Sequence, residues 1–153
     1  MKKIVILSDT HGNLSAIEKL LPIIQESDYL FHLGDYERDI KLFEREFVGN
    51  KLFTVKGNCD GGGDDLVLDI ENVKILLTHG DKYGVKNDLT RLKYKAEELG
   101  VNAVFYGHTH CAEVLEENGV LYVNPGTAKG FFEKTYCYAV VYNGKITAKI
   151  VAI

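Results

Sequence analysis

Apolar positions along this chain fall into two kinds of block, and the blocks alternate. "KKIVILSD" is short, continuous and β-branched, the pattern of a strand buried on both faces. "NLSAIEKLL" follows with Leu14, Ile17, Leu20 and Leu21 on one helical face, and Asn13 or Ser15 is placed to cap it. Pro22 kinks this helix or ends its first segment. "YLFHLGD" predicts a second strand running to Asp35, "ERDIKLFEREF" an amphipathic helix, and "KLFTVKGN" a third strand running to Asn58. "DLVLDIENVKILLTHG" predicts two strands around a turn at Glu71 and Asn72. "NDLTRLKYKAEELG" is a helix closed by Gly100, and "AVFYGH" is the next strand.

The tail changes character. "AEVLEENGVLYVNPG" and "YCYAVVYNGKITAKIVAI" each set Asn-Gly between strand-like runs, the strongest short hairpin signal. Alternating strands and helices give way to strands alone. That order predicts an α/β sandwich of two mixed β-sheets flanked by helices, as one domain over residues 1–153.

Composition narrows the function. With 46% hydrophobic and 26% charged residues, the chain has the make-up of an ordinary soluble globular protein. No apolar run approaches the roughly 20 residues of a membrane span, so no membrane partner is expected. The basic pair at the start leads only into Ile4 to Leu7 before Asp9 and His11, which reads as a strand and not a signal peptide, so a cytoplasmic location is expected. Cys59, Cys111 and Cys137 are odd in number and lack a paired spacing, which argues against a disulfide framework. The net charge of −4 argues against nonspecific nucleic-acid binding.

The candidate chemistry sits where the apolar runs end. Asp9 and His11 follow the first strand, Asp35 the second and Asn58 the third. His79 follows "VKILLT", and His108 with His110 follows "AVFY". His108 and His110 project to the same side of an extended chain, which suits a metal. Each residue also has a plain structural reading. Asp9, Asp35 and Asn58 stand in ordinary turn dipeptides, and a lone histidine at a strand end is usually just hydrogen-bonded. Those readings must all hold together, however, and they leave unexplained why four of the five histidines mark strand ends. Open α/β sheets bind ligands outside the carboxyl ends of their strands. His32, inside "LFHLGD", is expected to be buried or to support the site without ligating.

Seven candidate ligands exceed the four or so that one zinc ion takes, but they suit two ions sharing a carboxylate. Mixed nitrogen and oxygen donors favour Mn, Fe, Co, Ni or Zn over Ca or Mg. Two metals roughly 3.5–4 Å apart clamp the attacking and leaving oxygens of an in-line displacement at phosphorus. Two divalent ions against two aspartates leave a local charge of about +2, so a phosphate is attracted without a basic patch.

"DTHGN", the Gly34–Asp35 pair, "GNCD", "THGD" and "GHTH" stand in the order and spacing of the calcineurin-like metallophosphoesterase superfamily, which the chain resembles over nearly its full length. With "HGDKYGV" and "NPGT", it looks like the small bacterial and archaeal phosphodiesterases of the YfcE type. The resemblance implies that Asp9, His11 and His110 hold one metal, that Asn58, His79 and His108 hold the other, and that Asp35 bridges them. It implies a bridging water or hydroxide as nucleophile, Asn58 placed to touch the phosphate, and a small phosphodiester as substrate. A homo-oligomer is compatible with it.

One position departs from the superfamily. Many members carry histidine just after the motif asparagine, where it assists the leaving group, and here that residue is Cys59. A thiol is a poor general acid for an alkoxide, and a small packing residue is the plainer reading. Gly61 to Gly63 read as a flexible turn or a lip over the site. A phosphomonoesterase or nucleotidase would use the same metal pair. The retromer subunit Vps29 resembles this family yet acts chiefly through protein contacts, so a binding scaffold is the reading from a different class.

Overall fold

A computed structural model describes residues 1–47, 51–129 and 133–153. Ten strands are described: β1 (Lys2–Leu7), β2 (Tyr29–His32), β3 (Leu52–Thr54), β4 (Leu66–Ile70), β5 (Val73–Leu77), β6 (Ala103–Phe105), β7 (Glu113–Glu117), β8 (Val120–Asn124), β9 (Thr135–Tyr142) and β10 (Lys145–Ala152). The helices are α1 (Leu14–Glu26), α2 (Arg38–Lys41) and α3 (Thr90–Leu99). No described helix is long and apolar enough to cross a membrane.

The strands form two five-stranded sheets, ordered β10-β9-β1-β2-β3 and β4-β5-β6-β8-β7. β1, β2 and β3 run parallel, as do β5, β6 and β8, while β9, β10, β4 and β7 pair antiparallel. This is the expected sandwich of two mixed sheets.

Period-two alternation explains the layers. Ile4 and Ile6 of β1 face the inter-sheet core with Phe31, Ile75, Phe105 and Val123. Val5 and Leu7 point the other way, onto Ile17, Leu20 and Ile24 of α1. On the second sheet, Leu76 and Val104 meet Leu92 and Ala96 of α3 in the same manner. The central strands are therefore apolar on both faces, as their sequences require.

Local signals act as read. Asn13 caps α1 by accepting from the Ala16 N–H, and α3 closes on Gly100 at φ 65°. Helix α1 runs through Pro22, which is exposed, so water satisfies the carbonyl that the missing N–H leaves free. Both Asn-Gly turns have positive φ at each residue, as type I′ hairpins demand.

Three expected elements are shorter than their apolar runs. "ERDIKLFEREF" forms only α2 and a 3-10 turn at Glu44–Glu46, since so short a segment barely sustains a helix alone. β2 stops at His32 and β3 at Thr54, although Leu33 N–H still bonds Leu7 O and Val55 N–H bonds His32 O. One further bond, from the Asp9 N–H to the Gly34 carbonyl, ties the two strand ends together where the backbone turns to form the site.

Candidate metal centre

Seven side chains converge where β1, β2, β3, β5 and β6 end. Five of them, Asp9, His11, Asp35, His108 and His110, have positive φ between 43° and 71°. The left-handed region is costly for residues with a Cβ and persists only where the surroundings enforce it. Apart from Tyr36, the other non-glycine residues with positive φ among those described lie in the hairpin turns. Backbone strain is thus concentrated at the candidate ligands.

Glycines let these loops approach one another. A Cβ on Gly34 would meet the Gly57 nitrogen at 2.5 Å and His79 Nδ1 at 2.9 Å. One on Gly107 would run into Ser8 Oγ, and into Asp9 Oδ2 at 2.8 Å. The glycines before Asp35, Asn58 and His108 are therefore close-approach positions that no larger residue fills.

The donor atoms form two groups that share one residue. Asp9, His11, Asp35 and His110 offer atoms within 4.8 Å of one another, and so do Asp35, His79 and His108. Asp35 Oδ2 lies 3.5 Å from both His11 Nε2 and His79 Nε2. His110 Nε2 is 3.2 Å and His11 Nε2 3.8 Å from Asp9 Oδ1. His79 Nε2 is 3.1 Å from Asn58 Oδ1 and 3.2 Å from His108 Nδ1. Two ligands on one transition-metal ion at tetrahedral angles stand roughly 3.4 Å apart, so these spacings suit ions and not direct bonds alone.

Three further observations fit cations here. Asp9 Oδ1 and His11 Nε2 are buried without hydrogen-bond partners. His79 Nδ1 is 2.8 Å from the Leu33 carbonyl, which only accepts, so Nδ1 carries the proton and Nε2 presents a lone pair to the site. Burial also holds the His11 and His108 imidazoles below their usual range, keeping them neutral as ligands must be. For Asp9, burial pushes the carboxyl up, but the His110 contact and the neighbouring His79 outweigh it and the net shift is down. Asp9 and Asp35, both buried, therefore stand in a site where burial keeps His11 and His108 neutral, an arrangement that suits a bound cation.

A supporting layer was not singled out in the sequence. Asp39 accepts from Thr10 Oγ1 and the Gly12 N–H, each at 2.7 Å, and so fixes the loop carrying His11. Asp60 accepts from Tyr36 N and Gly57 N, tying the Asp35 loop to the Asn58 loop. Asn124 donates to Gly107 O and Thr109 Oγ1, and Thr127 Oγ1 donates to Asp9 O. Asp60 lies within "GNCD" and Asn124 and Thr127 within "NPGT", but no local pattern marks their supporting roles. His32, by contrast, sits where its sequence suggested. It is fully buried, accepts from Gly34 N–H at Nδ1 and meets Thr10 Oγ1 at Nε2. Burial lowers its pKa to about 4.

Cys59 is exposed, and burial with the nearby Asp35 raises its thiol pKa. Its backbone N–H, however, donates to Asp35 Oδ1 at 2.9 Å. The glycine run is a turn: Gly62 N–H bonds Gly57 O, and Gly63 O accepts from Lys82.

The fold and this site define a cluster of candidate metal ligands at the mouth of an α/β sandwich. The family model for the calcineurin-like phosphoesterase superfamily domain matches residues 1–144, and the chain belongs to that superfamily. It is 36% identical over 130 residues to the probable metallophosphoesterase YsnB of Bacillus subtilis, covering 82% of this chain and 75% of that one. It is 29% identical over 154 residues to phosphodiesterase YfcE of Escherichia coli, covering 83% and 79%. A solved structure of a predicted phosphoesterase from Streptococcus pneumoniae superposes with TM-score 0.81 at 27% identity, over 99% of this chain and 89% of that one. Vacuolar protein sorting 29 from Cryptosporidium parvum shares the fold at TM-score 0.76 and 19% identity, over 99% and 97%.

Proposed function

We propose that this protein is a divalent-metal-dependent phosphodiesterase with a dinuclear centre. The observation that carries the reading is Asp35, whose Oδ2 stands equally far from His11 and His79, one in each donor group. Asp9, His11 and His110 would hold one ion, Asn58, His79 and His108 the other, and Asp35 both. Mn, Ni, Co, Fe and Zn all suit such donors. When bound, the ions supply Lewis-acid stabilisation of the phosphoryl oxygens and a water acidic enough to attack at neutral pH.

The chain's own residues do the rest. The Leu33 carbonyl orients His79, and the Cys59 N–H fixes Asp35 through Oδ1, leaving Oδ2 to the site. Asn58 is exposed, and with Oδ1 among the donors its Nδ2 would be available to a phosphate oxygen. The Cys59 thiol beside Asn58, its pKa raised, is a poor proton donor to the leaving group at neutral pH, which favours diesters with good leaving groups over alkyl monoesters. Exposed, unpaired Cys59 and Cys111 accord with a reducing, cytoplasmic setting.

The test is hydrolysis of bis(p-nitrophenyl) phosphate by chelator-treated protein before and after addition of each metal. Recovery with Mn²⁺, Co²⁺ or Ni²⁺ is expected. Metal-loaded protein that cleaves no phosphodiester or monoester, yet binds another protein tightly, would make it a scaffold of the Vps29 kind instead.

A further inference from the structure

Tyr36 follows Asp35 directly and is held in the left-handed region at φ 66°. That conformation swings its ring beside the site, 5.2 Å from the His11 ring. The guanidinium of Arg38 lies over the same ring, 4.5 Å from its centroid. The stack His11–Tyr36–Arg38 therefore sets a permanent cation one aromatic ring beyond a candidate ligand.

Arg38 is exposed and forms no ion pair among the described residues, although acids surround it in the sequence. Each acid is engaged elsewhere. Glu37 pairs with Lys41 at 3.1 Å, Asp39 accepts from Thr10 and Gly12, and Asp60 accepts from Tyr36 and Gly57 backbone. Four of these bonds build the site, so each of the acids is already committed away from Arg38. The guanidinium is thus ordered by its face while its edge donors remain open. An arginine held flat on an aromatic ring presents a fork that matches phosphate bidentately. A terminal phosphate is close to a dianion at pH 7, the charge that such a guanidinium fork favours.

We propose that Tyr36 and Arg38 are specificity-determining residues, and that Arg38 takes a second phosphate group carried by the diester beyond the bond that breaks. This rests on the phosphodiesterase reading above and names the substrate class for the same site. Tyr36 acts by placing Arg38, and its ring supplies the surface on which the guanidinium lies.

The experiment compares two p-nitrophenyl diesters that differ by one phosphate: the p-nitrophenyl ester of thymidine 5′-phosphate, with and without a 3′-phosphate. The native, metal-loaded protein is expected to favour the 3′-phosphorylated ester in kcat/KM by about tenfold or more, the value of a charge-assisted contact. Arg38→Ala should bring that ratio close to one, Arg38→Lys should retain part of it, and Tyr36→Leu should reduce it by loosening Arg38. Calorimetric affinity for thymidine 3′,5′-bisphosphate should fall with the ratio. A native ratio near one, or a ratio that Arg38→Ala leaves intact, overturns the proposal. If no diester is cleaved by any variant but the bisphosphate still binds through Arg38, the anion site stands and the phosphodiesterase reading falls.

Discussion

Gly34 and Gly57 are packed backbone to backbone, so closely that a Cβ on Gly34 would meet the Gly57 nitrogen at 2.5 Å. The contact holds the Asp35 loop against the Asn58 loop, and it is what places two parallel strand ends around one centre. Gly34 also has φ 102°, a conformation that side chains resist. Gly34→Ala is expected to destabilise the fold by about 1–3 kcal/mol and to weaken metal binding. Denaturant unfolding and calorimetric metal titration measure the two effects; an alanine variant with native affinity would show that the loops tolerate separation.

Two metal ions per chain are expected after reconstitution. Elemental analysis gives the count, and anomalous diffraction gives the positions. Asp35→Ala should lower occupancy at both positions because its Oδ2 faces both groups, whereas His110→Ala should affect only the Asp9 side. A single ion at saturation would defeat the dinuclear reading.

Turnover on an aryl diester should drop by orders of magnitude in His79→Ala, Asp35→Ala and Asn58→Ala, since each removes a donor from one clamp. Circular dichroism of each variant separates lost chemistry from lost folding.

Cys59 contributes its backbone, so its side chain should be dispensable. Cys59→Ala keeps the N–H that donates to Asp35 and is expected to change rates little. Without a protonating group, rates should fall steeply as leaving-group pKa rises, because general acid catalysis is typically worth about 10²–10⁴-fold. Cys59→His should rescue alkyl diesters selectively if its ring reaches the departing oxygen. A shallow native slope that steepens in Cys59→Ala would make the thiol the acid.

His32 predicts a pH dependence of stability. Its folded pKa, lowered by burial to about 4, lies below the 6.5 of an unfolded histidine. The unfolded chain therefore binds this proton first, and stability is lost as pH falls from about 6.5 to about 4. The loss amounts to about 3 kcal/mol when complete. Urea unfolding of metal-free protein across this range should show the slope, and His32→Asn should flatten it. An unchanged slope would assign it to other groups.

The sequence by itself determined the layers and pointed to the candidate ligands. Period-two apolar runs, one capped helix, Gly100 and two Asn-Gly turns act within a few residues, so their outcome is written locally. All seven candidate ligands were legible because each sits just past an apolar run, where a buried strand must reach solvent. Where those strands stop was not legible, since β2 and β3 end short of their apolar runs while single bonds to the neighbouring strands continue past them. The helix expected from "ERDIKLFEREF" shrank to one turn, within which Asp39 reaches Thr10 and Gly12, across 27 residues of chain from the latter. Only the tertiary structure brought Asp60 between two loops, set Arg38 on Tyr36, and forced five candidate ligands into the left-handed region. Those features depend on contacts between segments far apart in the chain, and no local pattern encodes a distance.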